Sequence, residues 1–364
     1  MLVSAAMVFA AGCFDTYDGH DLTPAPADLT YSSDALRYGA QAGFESCGWS
    51  LEYLERFIEL YVAGSEDGDI EVPVEYYFVD SATIGREEVC GGGYRACARY
   101  GVVYADSPVH THEVVHAIRH LQHGGTSPGA DLLEEGIAQL HYPVAIGWDE
   151  DFRALDLPSI LDAPIKAELY DSAANLLGVV AHERSFAVVE QLVDCSWTAA
   201  KAGEIEGLVE ELVDVDLVGL DAMVSAYPRC SPAARMRMLV ECAAEPVSWN
   251  EGPWATTPRV IHAIGSMACD DPRVLGPLDG RLWTFATIDV PTDGTYRLDV
   301  ESEEGQRLEM TSCDAICGED IDLLWDAGRR EEELELSAGR AVVRLSRVLG
   351  DEREVSFRLY GPLL

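Results

Sequence analysis

The chain has 364 residues, enough for two domains or one large domain. Hydrophobic residues make up 48% of it and charged residues 24%, as expected for a protein with a packed core. The net charge of −39 at pH 7 repels nucleic acids and anionic membrane surfaces, so we exclude both as partners of the folded surface.

The N-terminus is typical of an exported protein. Residues 2–12 form an apolar run that ends in small residues and is too short to span a bilayer as a mature helix. The run from Phe9 to Cys13 resembles the lipobox of bacterial lipoproteins, although no Lys or Arg precedes it. The resemblance implies a signal peptide over residues 1–13 and a lipid on Cys13 that anchors the protein in a membrane of the cell envelope. The alternative is a buried N-terminal segment with a core cysteine.

Polar residues and two prolines predict a tether over residues 14–30. The chain has ten cysteines, nine of them after Cys13, and export makes these candidates for disulfide bonds. Cys90 and Cys97 bracket a short loop that a disulfide could close, and Cys313 and Cys317 are also local to each other.

Strands and helices alternate at the start of the next segment. Apolar residues at helical spacing predict a helix over 49–63. An alternating run predicts a strand over 70–79, at a sheet edge because Pro73 cannot donate a ladder hydrogen bond. A second short strand is expected over 99–105.

A mostly helical stretch follows. Ser107 and Pro108 offer a cap and a first helical residue for a helix through the histidine-rich run, which Gly124 and Gly125 would end. Further helices are predicted over 131–142, 171–183, 185–194, 203–213 and 231–243.

The sequence pattern changes near residue 250, where strand-like runs begin to alternate with turns. Strands at short, even spacing predict an antiparallel β-sandwich over residues 249–364. The fold class is therefore expected to be α+β, with a small sheet and a mostly helical lobe before the sandwich.

The helix through HTHEVVHAIRHLQH carries metal-binding chemistry. Residues four apart share one helix face, so His112 and His116 can hold one zinc ion. Glu113 then lies beside the metal without binding it and can take the proton of a zinc-bound water as general base. The other three histidines of the run, His110, His120 and His123, are expected to be solvated or capping residues near the helix ends.

A third ligand stands at a spacing that resembles a known family. The motif HEVVH is followed, after eighteen residues, by Glu135 in EGIA. This arrangement resembles the gluzincin peptidases, above all the thermolysin-like aminopeptidase branch with its HExxH-x18-E and NEGFA patterns. The resemblance implies a zincin-like metallopeptidase domain over residues 31–248. In it, Zn²⁺ would be held by His112, His116 and Glu135.

One further role, that of the oxyanion donor, follows from the same resemblance. Tyr170, followed by DSAANLLGVV, matches a family tyrosine that stabilises the oxyanion, although Ala173 replaces the usual glycine. His182 is the rival donor, because other gluzincins use a downstream histidine. Gln139, one turn after Glu135, is a candidate to orient a ligand.

The chain also departs from the aminopeptidase branch. Glu134 stands where that branch has asparagine, and CARYGVVYA occupies the place of the segment that binds the free amine of a substrate. Endopeptidase and exopeptidase modes therefore stay open. An edge strand over 99–105 could hold an extended substrate by backbone pairing.

The C-terminal part adds a weaker resemblance. TFATIDVPTDGTYRLDV and LSAGRAVVRLS resemble the bacterial pre-peptidase C-terminal domain, a small β-sandwich found with secreted peptidases. The sequence as a whole predicts an exported, lipid-anchored zinc metallopeptidase that acts on peptides or proteins. The alternative is a non-catalytic binding lipoprotein of the cell envelope on a peptidase-like scaffold.

Overall fold

Two β-sheets and a set of helices make up the α+β fold of the described residues. The structure, a computed structural model, describes residues 24–65, 68–86, 88–90, 95–123, 131–142, 157–161, 165–196, 202–226, 239–250, 259–264, 269–278, 280–313, 325–350 and 355–363. The predicted signal peptide with Cys13 lies outside these residues, as does the first part of the predicted tether.

The first sheet has strand order β1-β2-β3-β5-β4. Its inner strands β2, β3 and β5 run parallel, and the outer strands β1 and β4 pair antiparallel with their neighbours. The bounds are β1 (Leu29–Ser32), β2 (Leu36–Ala40), β3 (Val74–Phe78), β4 (Ala96–Arg99) and β5 (Val102–Ala105). β1 thus forms where the tether was predicted to end.

Two strand predictions need correction. β3 is central, not an edge strand, and it begins at Val74, so Pro73 lies just before the ladder and removes no hydrogen bond from it. The strand predicted over 99–105 is a tight hairpin of β4 and β5. Its turn residues Tyr100 and Gly101 have φ of 50° and 82°, the backbone that a two-residue type I′ turn requires.

Helices cover this sheet and extend beyond it. The bounds are α1 (Ser50–Gly64), α2 (Ser81–Ile84), α3 (Thr111–His123), α4 (Asp131–Leu140), α5 (Leu157–Ile160), α6 (Tyr170–Glu183), α7 (Phe186–Ser196), α8 (Ala202–Val213), α9 (Leu217–Ala226) and α10 (Leu239–Ala243). Most predicted helices are confirmed to within two residues. The first part of the helix predicted over 231–243, with its Ser-Pro start, lies outside the described residues.

The predicted start of the histidine-bearing helix is wrong. α3 begins at Thr111, and the carbonyl of His110 accepts its first hydrogen bond, from Val114. Ser107 does not cap it, because the Ser107 hydroxyl donates to the carbonyl of Val109 instead.

The second sheet is antiparallel throughout, as predicted. Its order is β6-β12-β9-β11-β8-β7, with β10 also paired to β9. β9 pairs with β12 over its first half and with β11 over its second half, and one core cluster gathers side chains from β8 to β12. The bounds are β6 (Arg259–Ile264), β7 (Leu275–Leu278), β8 (Arg281–Val290), β9 (Gly294–Ser312), β10 (Trp325–Leu336), β11 (Gly339–Val348) and β12 (Val355–Tyr360).

The two sheets are joined by packing and by covalent bonds. Leu275, Leu278 and Trp283 belong to the same core cluster as α1 and the first sheet. A disulfide joins Cys47, just before α1, to Cys269, just before β7. The boundary predicted at residue 249 is therefore crossed by a bond and by a shared core.

The remaining disulfides test the local pairings expected from the sequence. Cys90 and Cys97 are bonded, as predicted. Cys313 is bonded to Cys242, 71 residues away, so the local pairing with Cys317 is wrong. Disulfides indicate an extracellular or periplasmic environment. Within the described ranges, no helix is long and apolar enough to cross a membrane.

Candidate metal centre

Three side chains from two helices converge at one point. His112 Nε2 lies 3.0 Å from Glu135 Oε2 and 3.2 Å from His116 Nε2, and His116 Nε2 lies 3.5 Å from the same carboxylate oxygen. Zinc ligands lie about 2.0 to 2.1 Å from their ion, so the corners of a tetrahedral site are about 3.3 Å apart. The donor atoms and their separations therefore fit a zinc ion held by this group.

Helix geometry explains why these residues meet. α3 places His112 and His116 one turn apart on one face, and α4, which packs against α3, supplies Glu135. Gly136 lets α4 approach α6 closely, because a Cβ at this position would lie 3.1 Å from the carbonyl oxygen of Ala173. A side chain there would require α4 or α6 to shift by a few tenths of an ångström.

The group is accessible from solvent. The His112 side chain is 6% exposed, that of His116 15% and that of Glu135 23%. The side chains of His116 and Glu135 are thus partly exposed, while that of His112 is nearly buried.

The orientation of His112 is set by two residues behind it. His112 Nδ1 lies 3.1 Å from Gln139 Oε1, and Gln139 Nε2 donates to Asp171 Oδ1 at 2.9 Å. Asp171 thereby fixes the Gln139 amide with its oxygen toward the imidazole. With a metal bound, His112 would keep a proton on Nδ1 for Gln139 and present the lone pair of Nε2 to the ion, the tautomer that a metal ligand needs.

The charges of His116 and Glu135 stabilise each other. Burial lowers the pKa of His116, but the hydrogen bond and the negative charge of Glu135 outweigh it and raise this pKa to about 9. Burial raises the pKa of Glu135, but hydrogen bonds from His112 and His116 bring it well below its usual value. The carboxylate is thus charged at neutral pH, and His116 must release a proton to bind a metal.

Glu113 lies beside the group and is not part of it. Its carboxylate accepts a hydrogen bond from the backbone of Ala98 in β4. Burial raises the pKa of Glu113, although His112 and His116 lower it. A carboxylate whose pKa is raised is a stronger base than a solvated one, so Glu113, next to three ligand atoms, has the properties of a general base.

The structure separates the two candidate oxyanion donors. The ring of Tyr170, the first residue of α6, stacks on that of His112 with 5.6 Å between centroids and 14° between planes. His182 lies twelve residues further along α6, about 18 Å along its axis, and is exposed. Tyr170 is therefore beside the candidate centre and His182 is not.

The remaining histidines of the run are less solvated than predicted. His123 is buried, with Nε2 3.2 Å from Asp194 Oδ1 of α7, so the prediction is wrong for this residue. His110 and His120 are partly buried, and burial lowers their pKa to about 3 and about 4. His110 also packs on Tyr142, with 4.8 Å between ring centroids.

Sequence reasoning missed several residues around the centre. No sequence motif indicated Asp171, Tyr142 or Arg119. Their roles depend on how α3, α4 and α6 pack. A signal for Asp171 was present, because it directly follows Tyr170 at the start of a predicted helix. Gln139 was found by helical spacing from Glu135.

Comparisons with known proteins give no family. No family model and no curated protein matches the chain. Among solved structures, aminopeptidase A from Legionella pneumophila is similar at 12% identity, covering 84% of this chain and 34% of that chain, with a TM-score of 0.36. The pre-peptidase C-terminal domain of a Bacillus anthracis collagenase is similar at 9% identity, covering 28% of this chain and 86% of that chain, with a TM-score of 0.19.

A carbohydrate-binding module of family 35 from Clostridium thermocellum is similar to a comparable degree, at 14% identity over 28% of this chain and 90% of that chain, with a TM-score of 0.18. These TM-scores are too low to support an argument about function. The chain also spans only about a third of the Legionella protein. What this protein does must therefore be argued from its own residues.

Proposed function

We propose that this protein is an exported zinc-dependent peptidase of the gluzincin kind, with residues 31–248 as a zincin-like catalytic domain. The observation that carries the proposal is the convergence of His112, His116 and Glu135 at separations suited to one tetrahedral zinc ion. Glu113, in the position of a base beside that group, favours hydrolysis over a purely structural metal site.

His112, His116 and Glu135 would hold the zinc. Zinc, when bound, supplies a Lewis acid that polarises a peptide carbonyl and makes a neighbouring water more acidic. Gln139, as an acceptor for the Nδ1 proton of His112, would favour the tautomer whose Nε2 lone pair binds the zinc. The partial exposure of His116 and Glu135 supports access of a substrate to the group.

Glu113 would move the protons of the reaction. It takes a proton from the water that attacks the peptide carbonyl and gives it to the nitrogen of the leaving amine. Burial supports the first step, because it raises the pKa of Glu113 and so makes its carboxylate a stronger base.

Tyr170 would donate a hydrogen bond from its phenol to the oxygen that becomes negative during attack. Its place against His112 supports this role, and the remote position of His182 disfavours the rival. β4, at the edge of the first described sheet and hydrogen-bonded to Glu113, is the strand along which an extended peptide would pair.

The location of the protein is part of the proposal. Disulfides support export, and the FAAGC run supports a lipid on Cys13 as the link to a membrane. The β-rich part that contains β8 to β12 would position a substrate or bind a partner at the cell surface.

A peptide-library digest tests the function. The purified protein should cleave peptides, lose activity after treatment with a zinc chelator, and regain it when zinc is added back. The lengths of the products separate endopeptidase from exopeptidase action. A protein that binds zinc but cleaves no peptide would instead be the non-catalytic binding lipoprotein.

A further inference from the structure

A buried guanidinium lies one turn beyond His116 on α3. Arg119 is 2% exposed, and its Nε and Nη2 donate to Oε2 and Oε1 of Glu134 at 3.0 and 2.9 Å. Its Nη1 lies 2.9 Å from Oδ1 of Asp194 in α7. One side chain thus connects three helices, and two of them carry the candidate ligands.

The partner on α4 is the residue next to the third ligand. Glu134 and Glu135 share a peptide bond, so a force that fixes the Glu134 side chain also restrains the backbone of Glu135. The contact with Arg119 is bidentate, and a planar fork on a planar carboxylate sets distance and direction together. A single hydrogen bond would fix the distance between the two side chains but not their relative orientation.

A gain in folding stability does not by itself explain this buried ion pair. A buried ion pair typically adds little stability compared with apolar side chains of similar size, because both charges lose their hydration. The same pair forms only at a defined distance and orientation. A metal site assembled from two helices needs the two helices held at a defined distance and orientation. α3 contributes two ligands and α4 only one, so the position of α4 along α3 decides whether Glu135 reaches the histidines.

We propose that Arg119 is a positioning residue for the metal site. Through its bidentate pair with Glu134 it holds Glu135 at ligand distance from His112 and His116. This inference rests on the proposed function, since it requires that these three residues bind zinc.

The test measures zinc affinity and does not depend on activity. Arg119→Lys keeps a positive charge but cannot form the bidentate pair. Its affinity for zinc, measured by competition with a fluorescent chelator, should fall about tenfold to a hundredfold, as for other losses of groups that orient metal ligands. If Arg119→Lys does not fold, Glu134→Gln, which breaks the charge pair from the other side, takes its place.

Two matched variants separate positioning from general stability. Asp194→Asn removes the other carboxylate bound by the same guanidinium, and Arg344→Lys alters a buried arginine that pairs with Glu241. Both should lower the urea midpoint of unfolding while zinc affinity stays within about threefold of wild type. A purely structural role predicts instead that zinc affinity falls in proportion to stability in all variants.

The outcomes distinguish the two proposals. Wild-type protein that binds no zinc overturns the proposed function. Wild-type protein that binds zinc, together with an Arg119→Lys variant that binds it equally tightly or with a loss no larger than that of Asp194→Asn, overturns the positioning role alone.

Discussion

Nδ1 of His112 faces Oε1 of Gln139 at 3.1 Å, and this contact sets the chemistry of the candidate centre. The amide oxygen can accept a proton from Nδ1, which leaves the opposite nitrogen, Nε2, as the atom that would bind a metal. Gln139 itself is held by Asp171, next to Tyr170. The residue that would bind the metal and the residue that would stabilise the oxyanion are therefore linked through two side chains.

Replacing Gln139 should weaken zinc binding. Gln139→Leu preserves the size of the side chain but removes the acceptor, so His112 can rotate or take the wrong tautomer. Zinc affinity should fall about tenfold to a hundredfold in a chelator competition. Gln122→Leu is the matched control, because Gln122, also a glutamine, bonds Ser65 and Gly68 and no candidate ligand. Equal zinc affinity in Gln139→Leu and wild type would contradict the role.

Tyr170 and His182 can be separated by their effects on turnover. Tyr170→Phe removes only the hydroxyl, and kcat should fall about a hundredfold to a thousandfold, the usual cost of losing one oxyanion donor. Zinc content should not change, because no ligand is touched. His182→Gln should keep the wild-type kcat, since His182 lies at the far end of α6. The reverse pattern would give the donor role to His182.

Two of the disulfides should differ in their contribution to folding. Cys47–Cys269 closes a loop of 222 residues, and Cys90–Cys97 one of 7. The chain-entropy model gives about 5 kcal/mol for the long loop and about 2 kcal/mol for the short one. Paired serine substitutions should show this order in the free energy of unfolding measured with urea. A larger loss for the short loop would mean that loop closure is not the main effect.

The ligand set could be predicted from sequence because its logic is local. His112 and His116 share a face by helical periodicity alone, and Glu135 follows at a spacing that resembles a family pattern. The same locality explains the confirmed Cys90–Cys97 bond. Each of these features involves residues that are close to one another along the chain.

Features that depend on how distant segments pack could not be predicted. His123 appeared to be a surface residue because it ends a helix, but α7 covers it and supplies Asp194. Cys313 bonds Cys242 because it directly follows β9, β9 pairs with β11, and α10, which carries Cys242, contacts β11. The tight turn at Tyr100 and Gly101 is an exception, because a glycine between two short β-rich runs was a visible signal.

The most direct test of the central claim compares wild type with Glu113→Gln in a single experiment. Both proteins should purify with about one zinc per chain, since Glu113 is beside the ligands and not among them. Wild type should cleave peptides, and Glu113→Gln should do so about a hundredfold to ten-thousandfold more slowly. Wild-type protein without stoichiometric metal, or a Glu113→Gln protein that cleaves peptides as fast as wild type, would contradict the account.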